Sequence, residues 1–95
     1  MRVLEFSRAA VADLARIWRY SSANWGAQQA DCYARELRYA CRQLADGRKI
    51  GRMTIAQDGM FKLRSGAHMI YYRMTTKQVT VIRVLHAKQD VDRHL

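Results

Sequence analysis

Apolar residues change their spacing once along this chain of 95 residues, and that change dictates what it can fold into. Up to residue 45 they recur every three or four positions, the period of a helix with one buried face. Ala10, Leu14, Ile17 and Trp18, with the small Ser21, make one stripe; Ala30, Tyr33, Ala34, Leu37, Cys41, Leu44 and Ala45 make a longer one. Ser7 is placed to cap the first helix, Asn24-Trp25-Gly26 to close it and Gly47 to stop the second. A serine side chain accepts from the free N–H groups of a helix start, and glycine adopts the left-handed conformation that ends one. From residue 60 the period is two. Phe61 and Leu63 alternate with Lys62 and Arg64, which puts the two pairs on opposite faces of a strand. Ser65-Gly66 reads as a hairpin turn. Two β-rich runs follow, Ala67 to Met74 and Val79 to His86, joined by Thr75 to Gln78.

Arg2 to Phe6 reads as a short opening strand, a loop with Gly51 and Gly59 separates the two halves, and Lys88 to Leu95 has room for one helical turn. The order is therefore β-α-α-β-β-β with a short C-terminal helical tail. Two helical stripes need a partner, and an antiparallel sheet of the last three strands is the large one on offer. The expected fold is α+β, a helical hairpin packed on a small antiparallel sheet. Residues 1–95 have room for one core and are read as a single domain.

No apolar run approaches the roughly 18 residues of a membrane helix. The start, Met1-Arg2-Val3-Leu4-Glu5, shows no apolar region behind a basic one, so a cytoplasmic protein is expected. Cys32 and Cys41 lie nine positions apart on the second helix, on opposite sides of it and too far apart for a disulfide. They are expected as buried or half-buried thiols in a reducing compartment.

Charge narrows the function. The formal net charge is +9. Residues 1–46 carry seven basic and five acidic side chains, whereas residues 47–95 carry ten and three, so the basic character belongs to the C-terminal half. Such a surface suits an anionic partner, a nucleic acid or an acidic protein.

Few residues point to bond chemistry. His68, His86 and His94 have no metal-ligand spacing, and no metal or other cofactor is expected. His68 and His86 sit at strand ends, where local hydrogen bonding accounts for them, although an imidazole is also a potential general base. There is no phosphate-binding glycine-rich motif, no Ser-His-Asp arrangement and no paired acidic motif. Arg73 and Arg83 interrupt apolar strands. Alternation groups Val79, Val81, Arg83 and Leu85 on one face, and Ile82, Val84 and His86 on the other. An arginine among inward-looking residues needs a partner: either an acid of the fold, with Asp90 and Asp92 as candidates, or a phosphate or carboxylate of a bound molecule. Trp18 falls on the buried stripe of the first helix, and Tyr39 falls off the stripe of the second and should be exposed.

The C-terminal pattern is Gly66-x-His68-x-Ile70-x-Tyr72-Arg73, Val81-Ile82-Arg83-Val84-Leu85-His86 and Asp90-x-x-Arg93-His94-Leu95. Asp13-Leu14, Ile17-Trp18, Trp25-Gly26, Tyr33, Leu37 and Gly51-Arg52 accompany it. Together these resemble the ParE toxins of the RelE/ParE superfamily, over nearly the whole chain. The family's usual proline before Gly51 is missing, and Gln89 stands where a methionine is common. The resemblance implies two antiparallel helices on an antiparallel sheet and a toxin of a type II toxin–antitoxin system. It implies a poison of DNA gyrase that acts by binding, neutralised by a ParD-like antitoxin, in an even-numbered hetero-oligomer that meets operator DNA only through the antitoxin. The alternative within the superfamily is a RelE-like messenger-RNA endonuclease. Its cluster of Lys and Arg is largely absent here: Lys62 matches one lysine, but His68, Ala87 and Arg93 stand where two arginines and a tyrosine would be, leaving His86 as a candidate acid. A plain nucleic-acid-binding module would need an exposed aromatic platform on the sheet, and Tyr71 and Tyr72 point to opposite faces.

For target binding and toxicity the candidates are Lys62, Arg64, Arg73, Arg83, His86, Arg93 and His94, since clustered arginines attract an anionic target. For antitoxin binding they are Trp18, Tyr20 and Tyr39 on the helical hairpin, with the edge of the first strand.

Overall fold

Ser7 begins the first helix as its position requires: its side-chain oxygen accepts the Ala10 N–H at 3.0 Å. The computed structural model describes residues 1–55 and 57–89. Strand β1 (Val3–Phe6) leads into helices α1 (Arg8–Trp25) and α2 (Ala27–Ala45). Gly26 alone links the helices, at φ 93°, a backbone that side chains resist. Helix α2 ends in a Schellman arrangement around Gly47 (φ 77°), in which the Arg48 N–H bonds Gln43 O and the Gly47 N–H bonds Leu44 O.

Four strands follow: β2 (Arg52–Met53), β3 (Phe61–Ser65), β4 (His68–Met74) and β5 (Gln78–His86), then a 3-10 turn over Ala87–Gln89. The tail beyond it lies outside the described residues. The sheet has five strands in the order β1-β5-β4-β3-β2. The expected helical hairpin on a sheet is present, and β2 to β5 are antiparallel neighbours. Two features go beyond the sequence reading. β1 joins the sheet as a parallel edge strand against β5, and the glycine-containing loop contributes the two-residue strand β2 at the opposite edge.

The helical stripes meet the sheet through Ala10, Cys41 and Leu44 on one side and Ile70, Tyr72, Val79, Val81 and Val84 on the other. Each large apolar side chain buried here stabilises the fold by about 1.5–3 kcal/mol relative to exposure. Val84 in this set corrects the simple alternation expected along β5. The β4–β5 register shifts between Tyr71 and Tyr72, so that Tyr71 faces Arg83 and Tyr72 faces Val81, leaving Ile82 as an extra residue. This β-bulge swaps the faces beyond it. Val84 joins Val79 and Val81 in the core, and Arg83 does not share their face.

Gly51 permits a close approach. A Cβ built there would lie 2.3 Å from Lys62 O and 2.8 Å from the Tyr72 hydroxyl. Because the nearest atom is backbone of the adjacent strand, Gly51→Ala is expected to cost about 2 kcal/mol. Thermal unfolding of the variant checks this, and an unchanged midpoint would contradict it.

Candidate functional site

Strand β1 flanks β5 only as far as Val81. Beyond it, the edge of β5 is closed by α1 side chains and its cap. Ser7 donates from its N–H to Val81 O at 2.9 Å and from its hydroxyl to Ile82 O at 2.6 Å. Asp13, 1% exposed, takes the next position. Its carboxylate accepts the Val84 N–H at 2.9 Å and both arms of the Arg83 fork, at 2.8 and 2.9 Å. Arg16, one turn further along α1, adds 3.1 and 3.2 Å bonds to Oδ1. Burial alone would raise the Asp13 pKa, but the Arg83 and Val84 hydrogen bonds and the two guanidinium charges outweigh it and hold the carboxyl below its usual value. Arg83 is raised in turn, chiefly by its bond to Asp13. Arg83 therefore has a partner within the fold, Asp13; the candidates Asp90 and Asp92 lie outside the described residues. Of the two alternatives, a partner in the fold is thus what Arg83 has, and Arg73 too is engaged locally, its Nη1 donating to Asp58 O at 3.1 Å.

At the far end of β4 and β5 a second cluster forms. His68 and His86 are cross-strand partners, their rings 5.4 Å apart. The Tyr33 hydroxyl accepts the Ala67 N–H at 3.0 Å, so its own hydrogen goes to His68 Nδ1 at 2.5 Å. His86 Nδ1 accepts the Lys88 N–H at 3.1 Å. Both rings are thus held by local bonds that leave the hydrogen of a neutral imidazole on Nε2. They line a cavity of about 360 Å³ with Tyr20, Trp25, Gln29 and Tyr33. Metal-bound imidazoles donate from the second ring nitrogen, whereas these accept there, so the pair is not arranged to hold a metal.

Burial, reinforced by the neighbouring His86, pushes the His68 imidazole below its ordinary value of 6.5. The folded protein thus prefers His68 neutral, and this stability is complete above the unfolded value of 6.5 and is lost as pH falls through the lower folded value. Melting temperature is expected to fall on acidification from about pH 7 to about pH 5, with His68→Gln flattening that dependence. An unchanged slope in the variant would contradict the assignment.

A further concavity lies along the helical hairpin. It is a groove of about 850 Å³ with Phe6, Val11, Leu14 and Ala34 along its apolar floor and Arg19, Arg35 and Arg38 at its margins. Trp18 stands in it, half-buried, its indole N–H donating 2.8 Å to Asp31 of α2.

The structure separates the residues singled out from the sequence. Trp18 lines the groove and is not part of the central core, as its stripe position had suggested. Tyr20 is exposed at the histidine cavity with its ring 5.9 Å from Trp25, and Tyr39 is exposed, as expected, on another face of α2 with Cys32. Cys32 is exposed, against expectation, while Cys41 is buried and its thiol is pushed up to about 11 by that burial. Lys62 was expected on an exposed face, but it is 7% exposed, in a strand flanked by Arg52 on one side and Tyr71 on the other. Arg64 is exposed and bonds Gly66 O at 3.0 Å, and His86 is exposed. Tyr71 and Tyr72 are both buried, so neither supplies a platform for bases. Arg93 and His94 lie outside the described residues.

Comparison with known proteins places this arrangement. The family model described as the ParE toxin of type II toxin–antitoxin systems matches residues 4–91. The chain belongs to the ParE toxin family. Toxin ParE1 of Mycobacterium tuberculosis is 42% identical over 91 residues, covering 94% of this chain and 93% of that one. Toxin ParE1 of Caulobacter vibrioides is 38% identical over 96 aligned positions, covering 100% and 99%. Among solved structures, a chain of the chromosomal ParDE system of P. aeruginosa superposes with a TM-score of 0.78 at 20% identity, covering 90% of this chain and 96% of that one. A chain of the RelBE2 toxin–antitoxin complex of Mycobacterium tuberculosis gives 0.59, also at 20% identity and with the same coverage of 90% and 96%. The fold is thus shared between ParE and RelE-type toxins. In this ParE-family chain the sequence reading overlooked two contacts, Asp13 with Arg83 and Tyr33 with His68. Asp13 had left a signal, an acid three positions from Ala10 and four from Ile17 on the buried face of α1. Tyr33 was read as part of the α2 stripe and of the family pattern, with no contact to His68 foreseen.

Proposed function

We propose that this chain is a ParE-type toxin that inhibits DNA gyrase by binding, and that a ParD-like antitoxin neutralises it by laying a helical segment in the groove between α1 and α2. The groove carries this reading. An amphipathic helix needs an apolar trough, and its flanks need opposite charge. The floor of Val11, Leu14 and Ala34 supplies the first, and Arg19, Arg35 and Arg38 select an acidic segment. Of the expected anchors, Trp18 is the one in this groove.

What weighs against a ribonuclease is the state of its candidate groups. Lys62 is buried, and His68 and His86 are engaged by Tyr33 and by the Lys88 N–H. Toxicity is assigned to the exposed basic surface; of the residues expected to carry it, Arg64 and His86 are exposed, and Arg93 and His94 lie outside the described residues. Lys62, Arg73 and Arg83 fall back to structural roles.

Expression of the chain in bacterial cells, with and without its antitoxin, tests the function. Growth arrest with gyrase covalently trapped on DNA, relieved by the antitoxin, is expected. Arrest with intact gyrase turnover and cleaved messenger RNA would overturn the reading.

A further inference from the structure

Three large apolar side chains stand in water at the edge of the sheet farthest from β1. Ile50 is 79% exposed, Met53 62% and Ile55 75%, and between and before them come Arg48, Lys49 and Arg52. The segment that displays them is fastened. The Arg48 and Lys49 N–H groups bond Gln43 O, the Gly51 N–H bonds the Tyr72 hydroxyl at 2.8 Å, and buried Thr54 bonds Met60 O through its N–H at 2.9 Å. Since Thr54 points its N–H at the β3 side, the alternation of an antiparallel pair turns the N–H and C=O of Met53 outward, to the open edge of β2. An ordered edge with apolar side chains and an outward backbone pair is a template for one more strand.

We propose that residues Arg48 to Met53, with Ile55, form the surface through which this toxin takes hold of its protein target, by pairing β2 with an extended acidic segment that has apolar anchors. This rests on the toxin reading above and adds the surface and the chemistry of what it binds. The three cations select an acidic partner. A second copy of this chain is disfavoured, because two such edges would bring like charges together. Nucleic acid is disfavoured by the anchors, which are aliphatic and offer no ring for a base to stack on. A lipid surface has no backbone groups to meet those of Met53. The fixed backbone reduces the ordering cost of association.

The test uses two variants, Ile50→Ser with Met53→Ser, and Arg52→Glu, whose side chains are exposed and whose folding is checked by thermal unfolding and by antitoxin affinity. Growth arrest on expression and inhibition of purified gyrase are both read. Each variant is expected to need about tenfold more protein for either effect, with antitoxin affinity unchanged. If wild type arrests growth without touching gyrase and the variants relieve the arrest, the gyrase reading falls and the edge proposal stands. If folded variants arrest growth as wild type does, the edge proposal falls whatever gyrase does, and a wild type that arrests nothing overturns both.

Discussion

Asp13→Ala is expected to lower the stability of the fold by about 3 kcal/mol. The carboxylate closes the part of β5 that β1 does not reach, and removing it leaves the Val84 N–H facing a gap. An unpaired buried N–H costs about 1–3 kcal/mol, and loss of the hydrogen bonds to a charged group adds a similar amount. The Arg83 side chain is 42% exposed and can turn to water, so its lost ion pair is screened and adds little. Asp13→Asn, which keeps an acceptor, is expected to recover part of the loss. The sign of the pH dependence follows from the lowered carboxyl. The contribution of Asp13 is present above the ordinary value of 3.8 and is lost as pH falls through the lower folded value. Chemical denaturation of wild type and variant at neutral and acid pH measures this. A loss below about 1 kcal/mol at neutral pH would show that the β5 edge does not depend on Asp13.

Trp18→Ala is expected to weaken antitoxin binding by about 30-fold to 1,000-fold, a cost of about 2–4 kcal/mol typical of an aromatic anchor in a pocket. Trp18 stands half-buried in the groove and ties α1 to α2 through Asp31. Tyr20 and Tyr39 face elsewhere, so their alanine variants should change affinity far less. Arg38→Glu separates the charge contribution from the apolar one, and it should slow association more than it speeds dissociation. Isothermal titration with the antitoxin decides among these, with thermal unfolding to show that each variant is folded. Equal losses at all three aromatic positions would place the antitoxin on a broader surface than the groove.

Much of the fold was legible in the sequence because each element carries its own local signal. The helices announce themselves through stripes, Ser7 and two glycines, and β3 to β5 through alternation and Ser65-Gly66. What was not legible depends on neighbours. Nothing local in Val79–His86 says that Ile82 is an extra residue, so the faces beyond it were misassigned and Arg83 with them. β2 is two residues long, too short for any period. The groove along the helical hairpin was legible only as two apolar stripes with Trp18 on one of them, and the placement of Tyr20 and Tyr39 depends on helix rotation. The Asp13–Arg83 pair shows the general difficulty. Arg83 stood out as a charge on an apolar pattern and Asp13 lies on another, yet they are 70 positions apart, and only the closed fold pairs them.

We propose above that this chain stops gyrase by binding and that an antitoxin reverses it. A DNA supercoiling assay with purified gyrase, this protein and then its antitoxin tests that claim most directly. Lost supercoiling with accumulated cleaved DNA, restored by the antitoxin, is the expected result. Undiminished supercoiling in the presence of folded protein that arrests cell growth would contradict it.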